Sequence, residues 1–323
     1  MALDLVPYPM GNGAKNSVES ARTALYASTS GAQGIVLPTD LKVVPLSVPG
    51  TAVSVNPGNA LVLNRSTGGG SQTYTARGYS ATEVAVAATG SAGKRSDLIV
   101  LQIEDPTMTG ESWSSPADPT EGPYVFIRVI PNVPAGTTRL QDITAYATRT
   151  AVTLARVDLP ASTGTVTAAM ITDLRKVALP RSDRSLRLQA GTKAQLNNAT
   201  EFVSFPQNTL TVAVPEWATK LTGVVTANGV IQKGTDEAMS TKVRIGSALY
   251  SAESVTDLDA ESGDSQRRTC LFGINVDIPA ALRGTTQTVS LWSTRKYASS
   301  TGRFSTDTAT QVVFDLFFEE ALA

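Results

Sequence analysis

The chain has 323 residues, 27 Lys and Arg against 28 Asp and Glu, and a net charge of −1. Without a run of basic residues it lacks the cationic footprint that phosphate neutralisation needs, which argues against nucleic-acid binding. It contains no stretch near the ~20 apolar residues of a membrane span, and its first residues, Met1-Ala2-Leu3-Asp4-Leu5-Val6-Pro7, have neither the basic n-region nor the long apolar h-region of a secretion signal.

Histidine is absent. That removes the commonest general base, the commonest metal ligand and every Ser-His or Cys-His nucleophile pair, so a non-enzymatic role without a cofactor is expected. Threonine is frequent, at 41 residues, and valine is frequent too. Both fit a pleated, half-buried surface better than a helix, and the fold class expected is mainly β. The size suggests two domains or one large β domain with appendages, and the pattern along the chain favours two antiparallel sandwich-like or barrel-like domains with a short N-terminal helix.

Along the chain, residues 1–34 read as an extended arm and a helix. Pro7 and Pro9 fix φ. Asn16 with Glu19 resembles a capping box, and Val18, Ala21 and Leu25 form a narrow apolar stripe with Arg22 and Ser28 off it. From Ile35 the period changes to two. Short strands are expected at 51–55, 59–63, 72–76 and 83–87, separated by Pro49-Gly50, Pro57-Gly58 and Gly68-Gly69-Gly70. Leu98 to Ile103 is apolar except for Gln102 and lies between charged flanks, so it reads as a strand buried on both faces. The loop from Thr107 to Gly122, with Trp113, is long for a connection inside a domain and is expected to be mobile or a contact surface. Strands at 125–130, 152–159 and 170–175 complete a domain spanning 35–178.

Residues 179–187 read as a linker, and 188–323 as a second sandwich. Its strands are expected at 202–205, 209–214, 221–227, 242–245, 269–278, 288–292 and 311–317, with turns at Asn228-Gly229, Lys233-Gly234, Arg283-Gly284 and Thr301-Gly302. Asp315-Leu316-Phe317-Phe318 alternates poorly and reads as a closing core strand, and Cys270 as a small buried hydrophobe.

Few groups suggest chemistry. Gly11-Asn12-Gly13-Ala14-Lys15 and Gly93-Lys94 each depart from a phosphate-binding loop. Asp257, Asp259, Glu261 and Asp264 suggest a calcium loop, but Ser262 and Arg268 stand where glycine and glutamate are needed, so no metal site is expected. Glu104-Asp105 and Glu319-Glu320 are neighbours in extended chain and point to opposite faces. Trp217 and Trp292 read as core. Tyr250 and Tyr297 are the candidates for contact with a glycan, against the plainer reading of ordinary surface tyrosines.

The order of several motifs carries a resemblance. Val48-Pro49-Gly50, the run from Val53 to Ala60, Gly68 to Tyr74, Arg95-Ser96-Asp97-Leu98, Leu154-Ala155-Arg156-Val157-Asp158 and Ile171-Thr172-Asp173-Leu174-Arg175 follow one another as in the N-terminal region of minor tail proteins (tail-tip or baseplate proteins) of tailed bacteriophages. The region from Met1 to Lys176 resembles that family, although Lys94 stands where proline is common. The segment from Val212 to Thr219 is similar to part of the β-sandwich modules that follow it. The resemblance implies a virion tail component whose partners are other tail or baseplate proteins, assembled as a trimer or ring about the tail axis. A carbohydrate-binding adhesin touching host cell-wall glycan is the alternative, and a glycan-cleaving depolymerase a third. Arg95 with Asp97, and Asp173 with Arg175, have i, i+2 spacing, lie on one side of their strands and are expected to fix the domain's geometry.

Overall fold

The computed structural model describes residues 9–322 apart from 12, 92, 198–199, 235–236, 259–264 and 298–301. The fold is mainly β, built from antiparallel sheets with one short α-helix, and no sheet closes into a barrel among the described residues. The chain forms two compact units, the first ending at Leu179 and the second beginning at Pro180.

The helix α1 (Val18–Ser28) starts one residue later than Asn16 predicts. Ser17 is its N-cap, its hydroxyl accepting from the Ser20 N–H at 3.1 Å, while Asn16 bonds back to Met10. None of its residues is buried. The apolar stripe is too narrow to anchor it, and Arg22, off that stripe, does so instead. Its guanidinium lies 4.3 Å over the Tyr74 ring and 2.8 Å from Asp105.

Ten strands follow in this unit: β1 (Gly34–Ile35), β2 (Val43–Pro45), β3 (Ala52–Val55), β4 (Gly58–Leu63), β5 (Thr73–Gly78), β6 (Thr82–Ala85), β7 (Arg95–Ile103), β8 (Val125–Ile130), β9 (Ala151–Leu159) and β10 (Ile171–Asp173). They make three sheets, ordered β1-β4-β5, β2-β3-β6 and β10-β9-β7-β8. Every residue of β7 from Asp97 to Ile103 is buried. Alternate side chains enter different clusters. Ile99, Leu101 and Ile103 pack with Val53, Val62 and Leu154, whereas Leu98 and Val100 pack with Val133, Leu140 and Ala151. A strand with apolar neighbours on both faces needs no polar alternation, which is why the run reads continuously. The Thr107–Gly122 loop is held at Trp113, whose ring carries the Arg149 guanidinium at 4.5 Å, and at Glu111, which pairs with Arg149 at 3.4 Å.

The second unit contains β11 (Ser182–Ala190), β12 (Ala194–Leu196), β13 (Val203–Ala213), β14 (Lys220–Lys233), β15 (Glu237–Ile245), β16 (Leu249–Tyr250), β17 (Ser254–Leu258), β18 (Ser265–Asp277), β19 (Thr286–Arg295), β20 (Arg303–Thr306) and β21 (Gln311–Glu319). One sheet runs β11-β21-β14-β20-β12 with β18 also on β14, and the other β13-β19-β15-β16 with β17 also on β15. Their inner faces share one core, with Val225, Phe272 and Phe314 from the first and Val212, Val243 and Leu291 from the second. This is a sandwich.

Three local expectations are corrected. Residues 182–187, read as linker, belong to β11, which pairs with β21 along its whole length. The strand is polar on one side and leaves Leu186 and Leu188 exposed on the other, so no apolar face marks it. Asn228-Gly229 does not end a strand; it is an irregularity inside β14, between the partners of Thr269 and Arg268. β21 alternates strictly, with Val312, Phe314, Leu316 and Phe318 buried and Val313, Asp315 and Phe317 on the outer face.

Candidate functional site

The residues that carry the family resemblance form two clamps in the first unit. At the start of β7, Arg95 Nε donates to both Asp97 oxygens at 2.8 and 3.1 Å, and its Nη2 to Oδ2 at 2.8 Å. The same guanidinium donates to the carbonyls of Ala87 and Ala88. Asp97, fully buried, also accepts the Asn132 N–H at 2.9 Å. Asn132 has φ +55, a left-handed conformation that asparagine tolerates, and the Asp97 bond holds it there.

At the end of β10, Arg175 Nε and Nη2 donate to Asp173 at 2.9 and 2.7 Å, and Nη1 donates to the carbonyls of Pro38 and Asp40 at 2.9 and 2.6 Å. The Arg175 side chain is 1% exposed and that of Asp173 36%. Burial disfavours the Asp173 carboxylate. The hydrogen bonds and charge of Arg175, with Lys42 beyond, outweigh it and hold the carboxyl below its ordinary range. The planar fork of arginine suits a carboxylate on one edge and carbonyls on the other. The two clamps join different segments and do not meet in one site.

Two related groups escape the sequence reading. Arg156 pairs with Asp158 at 2.9 Å, and Ser96 donates to the same carboxylate at 2.6 Å, at the register position where Ser96 faces Asp158. Asp105 gathers Arg22, the Tyr74 hydroxyl at 3.0 Å and both the N–H and the hydroxyl of Thr107. Burial works against its charge, and these donors prevail, so its carboxyl lies below the usual range. The i, i+2 spacing of Arg156 and Asp158 was available as a signal; the meeting at Asp105 of residues 31 and 83 positions away was not. Glu104 turns to Arg128 instead, at 2.8 Å, so the adjacent carboxylates serve separate partners. Glu320 likewise binds Arg181, at 2.6 Å.

In the second unit, Tyr250 and Tyr297 are 40% and 44% exposed. Tyr250 pairs with Arg244 near one end of β15, and the Tyr297 N–H donates to Glu237 at the other. Seven residue steps of about 3.3 Å separate Arg244 from Glu237 by roughly 23 Å, so the two rings cannot grip one sugar. Tyr297 is held through its backbone by the buried Glu237–Arg295 pair. Trp217 packs against the sandwich core, but Trp292 does not. It stands on the outer face of β19 and lines an open cavity of 570 Å³ with Arg244, Thr209, Gln287, Thr288 and Ser290. Strand periodicity places Trp292 on one of two faces without saying which faces the core; the neighbours Leu291 and Ser293 take the inner one.

Of the acidic loop considered for calcium, Asp259, Glu261 and Asp264 lie outside the described residues; among those described, no cluster of acidic residues and cysteine could hold a metal. No described helix is long and apolar enough to cross a membrane. The Cys270 thiol is buried, and burial pushes its pKa up to about 11. The carboxylates of Asp97, Asp105, Asp158 and Asp173 are each paired with a guanidinium group, an arrangement suited to fixing backbone.

No known protein family matches the chain, and no curated protein matches it. Among solved structures, the VP2 subviral particle of infectious bursal disease virus is similar at 11% identity over 91% of this chain and 73% of that one, with a TM-score of 0.25. The T13 particle of the same virus is similar at 11% identity over 91% and 70%, TM-score 0.26. BuGH86wt in complex with neoagarooctaose aligns at 12% identity over 84% of this chain and 33% of that one, TM-score 0.19. Superpositions this loose carry no weight for function.

Proposed function

We propose that the protein is a non-catalytic structural component of a virion, at the tail tip or baseplate of a bacteriophage. Its first unit docks to neighbouring tail proteins, and its second presents sandwich surfaces for protein contacts or host attachment. The family resemblance of the first unit supports this reading, and the residues that carry it serve as backbone clamps.

The observation that carries assembly is the outer face of the β11-β21-β14-β18 layer. Leu188, Val313, Thr226 and Leu271 lie in register across it, beside Leu186 and Val224. Leu186, Leu188 and Leu271 are 52%, 62% and 64% exposed. Exposed apolar side chains set around a polar pair, here Arg184 with Asp315 between Leu186 and Val224, suit a face that another protein covers, and we assign that role to a neighbouring subunit of the assembly. The test is mass spectrometry of purified tail fractions from particles made with the wild-type chain and with Leu188→Glu/Leu271→Lys. The wild type is expected in the tails and the variant, folded by circular dichroism, is expected to be lost from them. A wild-type chain missing from purified particles, or a variant incorporated normally, overturns the reading.

A further inference from the structure

We propose that the outer face of β15 and β19 is a saccharide-binding site selective for sugars that bear an anionic group, centred on Arg244 and Trp292. It deepens the host-attachment part of the proposed function and rests on it for biological meaning. The binding chemistry stands on the site itself.

The cavity there is open and holds a single charged residue, Arg244. Its guanidinium is pre-positioned from two sides. The carbonyl of Ser247 accepts from Nε and Nη2 at 3.2 and 2.7 Å, and the Trp292 ring lies 4.2 Å below its carbon. The Tyr250 ring stands 5.8 Å away. Trp292 is itself oriented by Nε1 donating to Ser290 at 3.1 Å. Among the described residues no carboxylate lines the cavity, in contrast to the adjacent Lys242, which lies over the Phe202 ring and is matched by Glu253 at 3.4 Å. A fixed guanidinium with no carboxylate partner among the described residues is complementary to an anion and loses little rotamer freedom on binding it.

The rest of the lining selects the kind of anion. Ser204, Thr209, Thr286, Thr288 and Ser290 supply hydroxyls, and Gln287 an amide, while no aliphatic side chain lines the cavity. A peptide gripped by its side chains would need an apolar pocket or a cluster of arginines, and the lining offers neither. A polyhydroxylated ring offers donors and acceptors to the hydroxyl wall, and its C–H face can lie against the exposed Tyr250 ring beside it, while Trp292 holds the guanidinium in place. Carboxylated and phosphorylated sugars share the required chemistry.

The experiment titrates the full chain calorimetrically with sialyllactose and trigalacturonate as carboxylate probes, pentamannose phosphate as the phosphate probe, lactose as the neutral probe and hexaglutamate as the peptide probe. At least one acidic saccharide is expected to bind at least tenfold more tightly than lactose. That binding is expected to weaken with added salt, to fall at least tenfold in Arg244→Gln and Trp292→Ala, and to recover partly in Arg244→Lys. Arg244→Gln removes bonds to the Ser247 carbonyl and the stacking on Trp292, all on the outer face, so its melting temperature is expected to fall by no more than a few degrees and the variant to stay folded. Equal binding of lactose and the acidic sugars, binding unaffected by Arg244→Gln, binding of hexaglutamate alone, or no binding of any acidic saccharide overturns the site. A chain that sits in the virion yet fails these titrations removes the site alone. One that binds an acidic sugar yet is absent from particles removes the virion reading alone.

Discussion

Replacing Arg175 by alanine strips the first unit of five hydrogen-bond donations at once. Two go to the carbonyls of Pro38 and Asp40, which lie 137 and 135 positions away in sequence, and three go to Asp173. A buried carbonyl left without its donor costs about 1–3 kcal/mol. Asp173 has a side chain 36% exposed and regains water, so its share is discounted. The expected loss is about 3–5 kcal/mol, in the range for breaking a buried pair from one side. At roughly 2–4 °C per kcal/mol for a unit of this size, the melting temperature of the first unit falls by about 10 °C. Arg175→Lys keeps the charge but not the fork and is expected to lie between the two. Asp173→Ala leaves the buried guanidinium without its counter-charge and is expected to cost about as much. Differential scanning calorimetry of the full chain at pH 7 measures all three. If Arg175→Ala melts within about 2 °C of the wild type, or Asp173→Ala leaves stability unchanged, the pair does not fix the geometry and the clamp reading fails.

Acid sensitivity follows from the same groups. The carboxyls of Asp105 and Asp173 titrate below their ordinary range in the folded protein, so their stabilisation is complete above the unfolded value near 4 and is lost as pH falls through the lower folded values. Melting temperature is expected to be nearly flat from about pH 7 to 5 and to drop below about pH 4, with a shallower acid slope in Asp173→Ala; an equal slope in that variant would count against the assignment. Cys270, buried and with its thiol pKa pushed up to about 11, is expected to resist an aromatic disulfide reagent at pH 8 until guanidinium unfolds the second unit. Stoichiometric labelling of the native protein within minutes would show that this strand opens.

Much of the fold was legible because strand formation leaves a local trace. β8 matches the expected 125–130 in full, and β7 was readable as a doubly buried strand from its unbroken apolar run. β11 left no such trace, since an edge strand with exposed leucines has no inner apolar face to announce it. The helix boundary moved by one residue because Asn16 and Ser17 are both competent caps, and Asn16 is taken by Met10.

The candidate sites divide along the same line. The i, i+2 spacing sets Arg95 beside Asp97 and Asp173 beside Arg175 on one side of each strand, because the pleat repeats every two residues. What the guanidinium groups grip beyond those carboxylates, such as the Pro38 and Asp40 carbonyls, depends on loop closure over more than a hundred residues. Trp292 makes the point most sharply. Its sequence fixes only that it and Leu291 point to opposite faces; which face the second sheet covers is decided by sandwich packing. The chain alone therefore determined that this is a β protein with internally paired charges and no histidine chemistry. Tertiary structure decided which aromatic ring and which arginine face outward together, because only packing assigns an inside to a strand.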